Sequence, residues 1–281
     1  MLLIACLNLA LLAAPLQEAA EGHPSGPSSP PGGPLGAVVN SEQEARSLID
    51  RSQQRLYDIR KAGLKSLSFA VPIRMGSPNG EAIHLGEVAV AWSTASEPEI
   101  RATISSVLPS ELSPQSEAIA LQLEAQGRQI LRYVNNDLFK EVLKDYKPSL
   151  AGLDGELFQV HFEPNSQQAG SPSLDWFFDA DAVPVRSEMK LEQGGVSMNI
   201  SYEHAWQPAS ATDTTLVLQQ LTATQEMGSM RNVITISLEH ETVEGLVMLT
   251  GYTERGQLPQ GEQTSHTVRL ESVSMTRADG S

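Results

Sequence analysis

The stretch LDWFFDADAVPVRSEMKLEQGGVSMNISYEHAW, residues 174–206, decides the fold. It parses as three strands and two tight connections. Leu174, Trp176 and Phe178 alternate with Asp175, Phe177 and Asp179, the period of a strand with one wetter face. Asp179-Ala180-Asp181-Ala182 turns the chain, and Pro184 suits the first position of the next strand because its φ is fixed and it has no N–H to offer. Residues 185–192 and 196–203 are alternating runs on either side of Gly194-Gly195, a hairpin signal. That register sets Arg186 opposite Glu203, Ser187 opposite Tyr202, Met189 opposite Ile200 and Leu191 opposite Met198. One face is then apolar, and the other carries Arg186, Glu188, Lys190, Glu192, Asn199 and Glu203. A slip of one residue would turn the apolar set into water, so the register is strongly specified.

Working outward, 281 residues are enough for one large domain or two small ones, and 40% hydrophobic with 19% charged residues is ordinary for a folded protein. The net charge is −15, and from residue 41 onward 32 acidic residues face 19 basic ones. That balance argues against nucleic acid or an anionic membrane surface as main partner, since both need a basic footprint. The apolar run from Leu2 to Ala14 is too short to span a bilayer and reads as a secretory signal peptide over 1–20, although no Lys or Arg precedes it. An exported protein, periplasmic or secreted and not integral to the membrane, is expected. Leu3-Ile4-Ala5-Cys6 matches a lipobox in letters, but the residues after Cys6 continue apolar. Cys6 is the only cysteine, so removal of the leader leaves no disulfide, thiol nucleophile or cysteine metal site.

Residues 21–40 are rich in Pro, Gly and Ser and read as a tether. A single domain is expected over 41–276, with a tail at 277–281. Ser41-x-x-Glu44 is a capping box, and Ala45, Leu48, Ser52, Leu56 and Ile59 make a helical stripe, predicting a helix over 42–62. Leu67 to Met75 alternates as a strand, an edge or bulged one because of Pro72, and a parity change between Leu85 and Val88 predicts a bulge at Gly86. Residues 99–107 form a weaker strand. Ser113-Pro114 opens a second helix, and the stripe Ile119, Leu123, Ile130, Val134, Leu138, Val142, Tyr146 carries it to about 146. Gly127 is a possible break in it, and QILRYV a possible strand. ELFQVHFE (156–163) is a strand, and further strands are expected over 215–222, 232–240, 245–252 and 265–275. The pattern is α+β, with one large antiparallel sheet and helices clustered before the main run of strands.

Catalytic and nucleotide-binding signatures are absent: there is no G-x-S-x-G, P-loop, G-x-G-x-x-G or H-E-x-x-H. The six histidines are scattered, with His161 and His240 the one pair on strands that the fold could bring together. Asp179-x-Asp181 has carboxylates for a metal, but the adjacent proline favours a turn. Asn199-Ile200-Ser201 has the letters of a glycosylation sequon inside a strand. No catalytic residue, metal ligand or cofactor is therefore assigned. A hydrolase would need a Ser–His pair within hydrogen-bond reach. What remains is apolar sheet surface: Phe69, Ile73, Met75, Trp92, Trp176, Phe178, Met189, Leu191, Met198, Ile200, Tyr202 and Ile236. These residues either pack on the two helices as ordinary core or line an apolar cavity left by a strongly bent sheet.

Several segments together resemble the bacterial lipoprotein-carrier superfamily of LolA/LolB type, with its RseB-like relatives. They are LKSLSFAVPIRM, DYKPSLAGLDGELFQVHFEP, FFDADAVPVRSEMK and the return MNISYEHAW, in that order after a leader and an amphipathic helix. Asp179, Pro184 and Arg186 stand in the family's D-x-x-x-x-P-x-R arrangement. The resemblance implies an incomplete antiparallel barrel wrapped over two or three helices. It implies a non-enzymatic binding protein holding a lipid or lipoprotein acyl chain in that apolar cavity, or a sensor of an envelope protein whose cavity is filled by its own side chains. The arginine that gates lipid release in the carriers has no anchored counterpart here; Arg74 is a possible position.

Overall fold

A computed structural model describes residues 38–76, 82–108, 110, 112–135, 139–165, 172–193, 196–228, 230–257 and 263–278. The expected leader, most of the tether and the hairpin turn at 194–195 lie outside the described residues. Two antiparallel sheets dominate. β1 (Leu64–Gly76), β2 (Ala82–Ser93), β3 (Ser96–Ile104) and β13 (Glu271–Arg277) form a four-stranded sheet in the order β13-β1-β2-β3. β4 (Tyr146–Asp154), β5 (Leu157–Pro164), β6 (Ser173–Phe178), β7 (Pro184–Gln193), β8 (Val196–Pro208), β9 (Leu216–Met227), β10 (Met230–Val243), β11 (Leu246–Gln257) and β12 (Gln263–Arg269) form a nine-stranded meander in sequence order. The α+β pattern stands, with the expected single sheet divided into two ladders. The β7–β8 register is the one the alternation demands: Arg186↔Glu203, Ser187↔Tyr202, Met189↔Ile200, Leu191↔Met198.

Three helices accompany the sheets. α1 (Val38–Arg55) starts upstream of Ser41, which stands inside the helix and not at its cap. It ends seven residues before the expected limit of 62 because Leu56 makes a parallel bridge to Leu216 and the Tyr57 N–H donates to the Leu216 carbonyl at 2.8 Å. Those bonds compete with the next helical turn and win. The buried face of α1 (Ala45, Leu48, Ile49) meets Val160 and Phe162 of β5, Trp176 and Phe178 of β6, and Phe139.

The second long helix is two pieces. A 3-10 turn (Ser113–Gln115) leads into α2 (Ser116–Asn135), and a separate short helix, α3 (Lys140–Asp145), follows. Gly127 does not break α2; it lets the helix lie tightly on the smaller sheet. A Cβ there would stand 2.6 Å from Val88 Cγ1 and 3.0 Å from Ile100 Cγ2. The neighbouring residue reaches the larger sheet, where Gln126 Nε2 donates to the Tyr252 hydroxyl at 2.8 Å. α2 is therefore layered between the two sheets, with Ile119, Leu123 and Ile130 in one core shared by β1, β2 and β9–β11.

The bulge expected near Gly86 is present: Ile73 pairs with Gly86 and Arg74 with His84, which leaves Leu85 unmatched. Pro72 falls where β1 has lost its other neighbour, since the pairing with β13 stops at Ala70. β4 was not expected as a strand. It is an edge strand, which is why it accommodates Pro148. Among the described residues no helix is long and apolar enough to cross a membrane.

Candidate functional site

The twelve apolar residues do not share one open surface. Phe69, Ile73 and Ile236 are buried in the α2 core, and Trp92 and Tyr202 pack partly against it. Trp176 and Phe178 belong to the α1 cluster, where Phe139 stacks on Phe178 with centroids 5.8 Å apart and tilts against Trp176 at 4.7 Å. Met189 and Ile200 are buried as a cross-strand pair, while Leu191 and Met198 next to them are half-buried. The side chain of Met75 lies outside the described residues. Seven of the twelve thus pack in clusters that include residues of α1 or α2.

The turn at 179–183 is built by hydrogen bonds. Asp179 Oδ1 accepts the N–H groups of Asp181 at 3.0 Å and Val183 at 2.8 Å, and the Asp179 N–H donates to the Val183 carbonyl. His161 and His240 lie on β5 and β10, with four strands between them. His161 Nδ1 instead sits 3.0 Å from Asp175 Oδ1, which also accepts from Gln159 Nε2 at 3.1 Å. No group of three or more potential metal ligands occurs among the described residues.

The wet face of the hairpin carries the pocket. A groove of about 310 Å³ is lined by Val185, Arg186, Glu203, His204, Ala205, Gln220 and Thr222, on β7, β8 and β9. It forms because Arg186 leans away from Glu203, its cross-strand partner. The guanidinium lies 3.9 Å over the Phe177 ring and pairs with Asp154 of β4 and, at 3.2 Å, with Glu188. Ala205 contributes no bulk, and the ladder shifts register between Ala205 and Trp206, which bends β8 at that end. Sequence reasoning placed Arg186 and Glu203 on the wet face; Gln220 and Thr222 were unremarked members of a strand, and only the strand order brings them beside Glu203.

The inner face holds a polar group the sequence reading missed. Glu254 on β11 stands opposite Ile236 of β10 and His266 of β12, and burial pushes its carboxyl up to about 7. Burial, with a smaller contribution from the Glu254 charge, pushes the hydroxyl of Tyr133 on α2 up to about 12, and that hydroxyl accepts from Gln129 Nε2 at 2.6 Å. In the same cross-strand row, His204 stacks on Trp176 at 5.2 Å, and burial pushes its imidazole down to about 4. Glu254 lies past residue 252, where the predicted strand ended; continued alternation from Tyr252 through TERGQ is the signal that would have found it.

No family model matches the chain, and no curated protein sequence matches it. Among solved structures the chain is similar to "the complex structure of Pseudomonas aeruginosa MucA/MucB", at 11% identity over 84% of this chain and 95% of that one, with a TM-score of 0.22. It is also similar to "MucB in complex with MucA(peri)", at 11% identity over 82% and 94%, with a TM-score of 0.20. The identity and the TM-score are low in both comparisons.

Proposed function

We propose that this chain is an exported, non-enzymatic binding domain of the cell envelope that engages another protein through its sheet surface. The observation that carries the reading is the division of its two faces. Most of the apolar strand residues pack with α1 or α2, with Phe178, Phe69 and Ile236 all at most 3% exposed. The groove lies on the polar side. A surface of this kind recognises by hydrogen bonds and charge, the chemistry of a polypeptide partner and not of an acyl chain. Chemical cross-linking of the tagged protein in its own envelope fraction, followed by mass spectrometry, tests this. One envelope protein should be recovered in stoichiometric amount, with cross-links on β7–β9. Cross-links scattered among many proteins would overturn the reading.

A second reading, that the domain holds a lipid or a lipoprotein acyl group, is favoured by one feature. Leu191, Met198 and Met227 are half-buried at the open end of β7–β9, and methionine adapts to variable apolar partners. Binding of a fluorescent fatty acid that is lost in Met198→Asp would support it.

A further inference from the structure

We propose that the groove between β7, β8 and β9 docks an extended basic peptide segment, with the Glu203 carboxylate anchoring an arginine or lysine side chain. The inference deepens the protein-interaction reading and rests on it. Arg186 and Glu203 are direct cross-strand partners, the arrangement in which a salt bridge is normally made. The arginine is engaged elsewhere, over Phe177 and with Asp154 and Glu188. Glu203 is exposed and has no ion-pair partner among the described residues. Of the charged residues lining the groove, Arg186 is thus already neutralised by Asp154 and Glu188, which leaves the Glu203 carboxylate as the uncompensated charge.

The rest of the lining suits a peptide backbone. Gln220 Nε2 donates to Thr222 Oγ1 at 3.4 Å, a long bond that either group can exchange for a bond to a partner. Ala205, opposite Gln220 in the ladder, keeps the floor low so that a chain can approach the strands. A volume of about 310 Å³ takes one long side chain and the backbone beside it. The chain's net charge of −15 draws a basic segment toward the site before any contact is made.

The test is selection of a random-peptide phage library on the whole protein, followed by affinity measurement of the enriched peptides by fluorescence anisotropy. Enriched peptides should share an arginine or lysine. Their affinity should fall about tenfold or more on Glu203→Lys and partly return when that basic residue is changed to Glu. Glu226→Lys makes the same charge change on β9 outside the groove, at a residue paired with Arg231, and should alter affinity by less than about threefold. Glu203→Gln serves as the milder variant should the reversal disturb the sheet. Equal losses on Glu203→Lys and Glu226→Lys, or enriched peptides lacking a basic residue, overturn the groove assignment alone. No enriched peptide at all overturns the protein-interaction reading with it.

Discussion

Replacing Glu254 by Gln should change the pH dependence of stability in a defined direction. Glu254 faces inward from β11, beside Ile236 and His266, and has Tyr133 of α2 near it; no ion pair or hydrogen bond neutralises it among the described residues. In the unfolded chain this carboxyl titrates near 4.5, and in the folded protein at about 7. Between those values the folded state keeps a proton that the unfolded chain has released. The stability contributed is complete below about pH 4.5 and is lost as pH rises through about 7. At about 1.4 kcal/mol per pH unit, the loss between pH 5 and pH 8.5 is at most about 2.5 kcal/mol, and water reaching a partly exposed side chain lowers it toward about 1.5 kcal/mol. Gln cannot ionise and so removes this slope. Urea unfolding of wild type and Glu254→Gln at both pH values isolates the effect, because every titrating group away from Glu254 and its neighbour His266 is common to the two proteins. The variant should gain about 1.5–2.5 kcal/mol relative to wild type on going from pH 5 to pH 8.5. A relative stability that stays the same at both pH values, or a variant that loses ground at pH 8.5, refutes the placement of Glu254 in a desolvated inner face.

Acid acts in the opposite sense through His204, whose folded value of about 4 lies below its unfolded 6.5, so stability is lost as pH falls from about 6.5 toward 4. His204→Phe, which keeps the stack on Trp176, should flatten that acid limb in a pH series of thermal melts. Gly127→Ala should destabilise by about 1–3 kcal/mol, because the new methyl meets β-branched side chains on a sheet that cannot yield. Adding Val88→Ala should return part of the loss in denaturant titrations. Ile236→Ala should cost about 2–5 kcal/mol as a filled-core truncation, and a loss under about 1 kcal/mol would point to empty space behind the residue.

The hairpin at 184–208 was legible because strict alternation leaves one register that keeps Met189 and Ile200 dry. The α1 stripe was legible too, but its end was not. The stripe continues through Leu56 and Ile59, while Leu56 pairs with Leu216, a residue 160 positions away that local periodicity cannot report. β4 was hidden for a related reason. Leu138, Val142 and Tyr146 extend a helical pattern to the very residue where the strand starts, and Pro148 and Gly152 weaken its strand signal. Nothing in the spacing of the twelve apolar residues says that Trp176 and Phe178 pack with α1 while Phe69 and Ile236 pack with α2. The groove was legible only as a wet face. Its shape depends on Arg186 leaning over Phe177, a side-chain choice made by the Asp154 and Glu188 carboxylates.

The proposed division between a filled apolar interior and a polar binding face is tested most directly by native mass spectrometry of the protein purified from its own cells without detergent exchange. The account predicts a species at the mass of the polypeptide alone, or of a stoichiometric complex with one other protein, and no lipid released on organic extraction. A lipid adduct at one equivalent per chain, retained through purification and recovered in the extract, would contradict it.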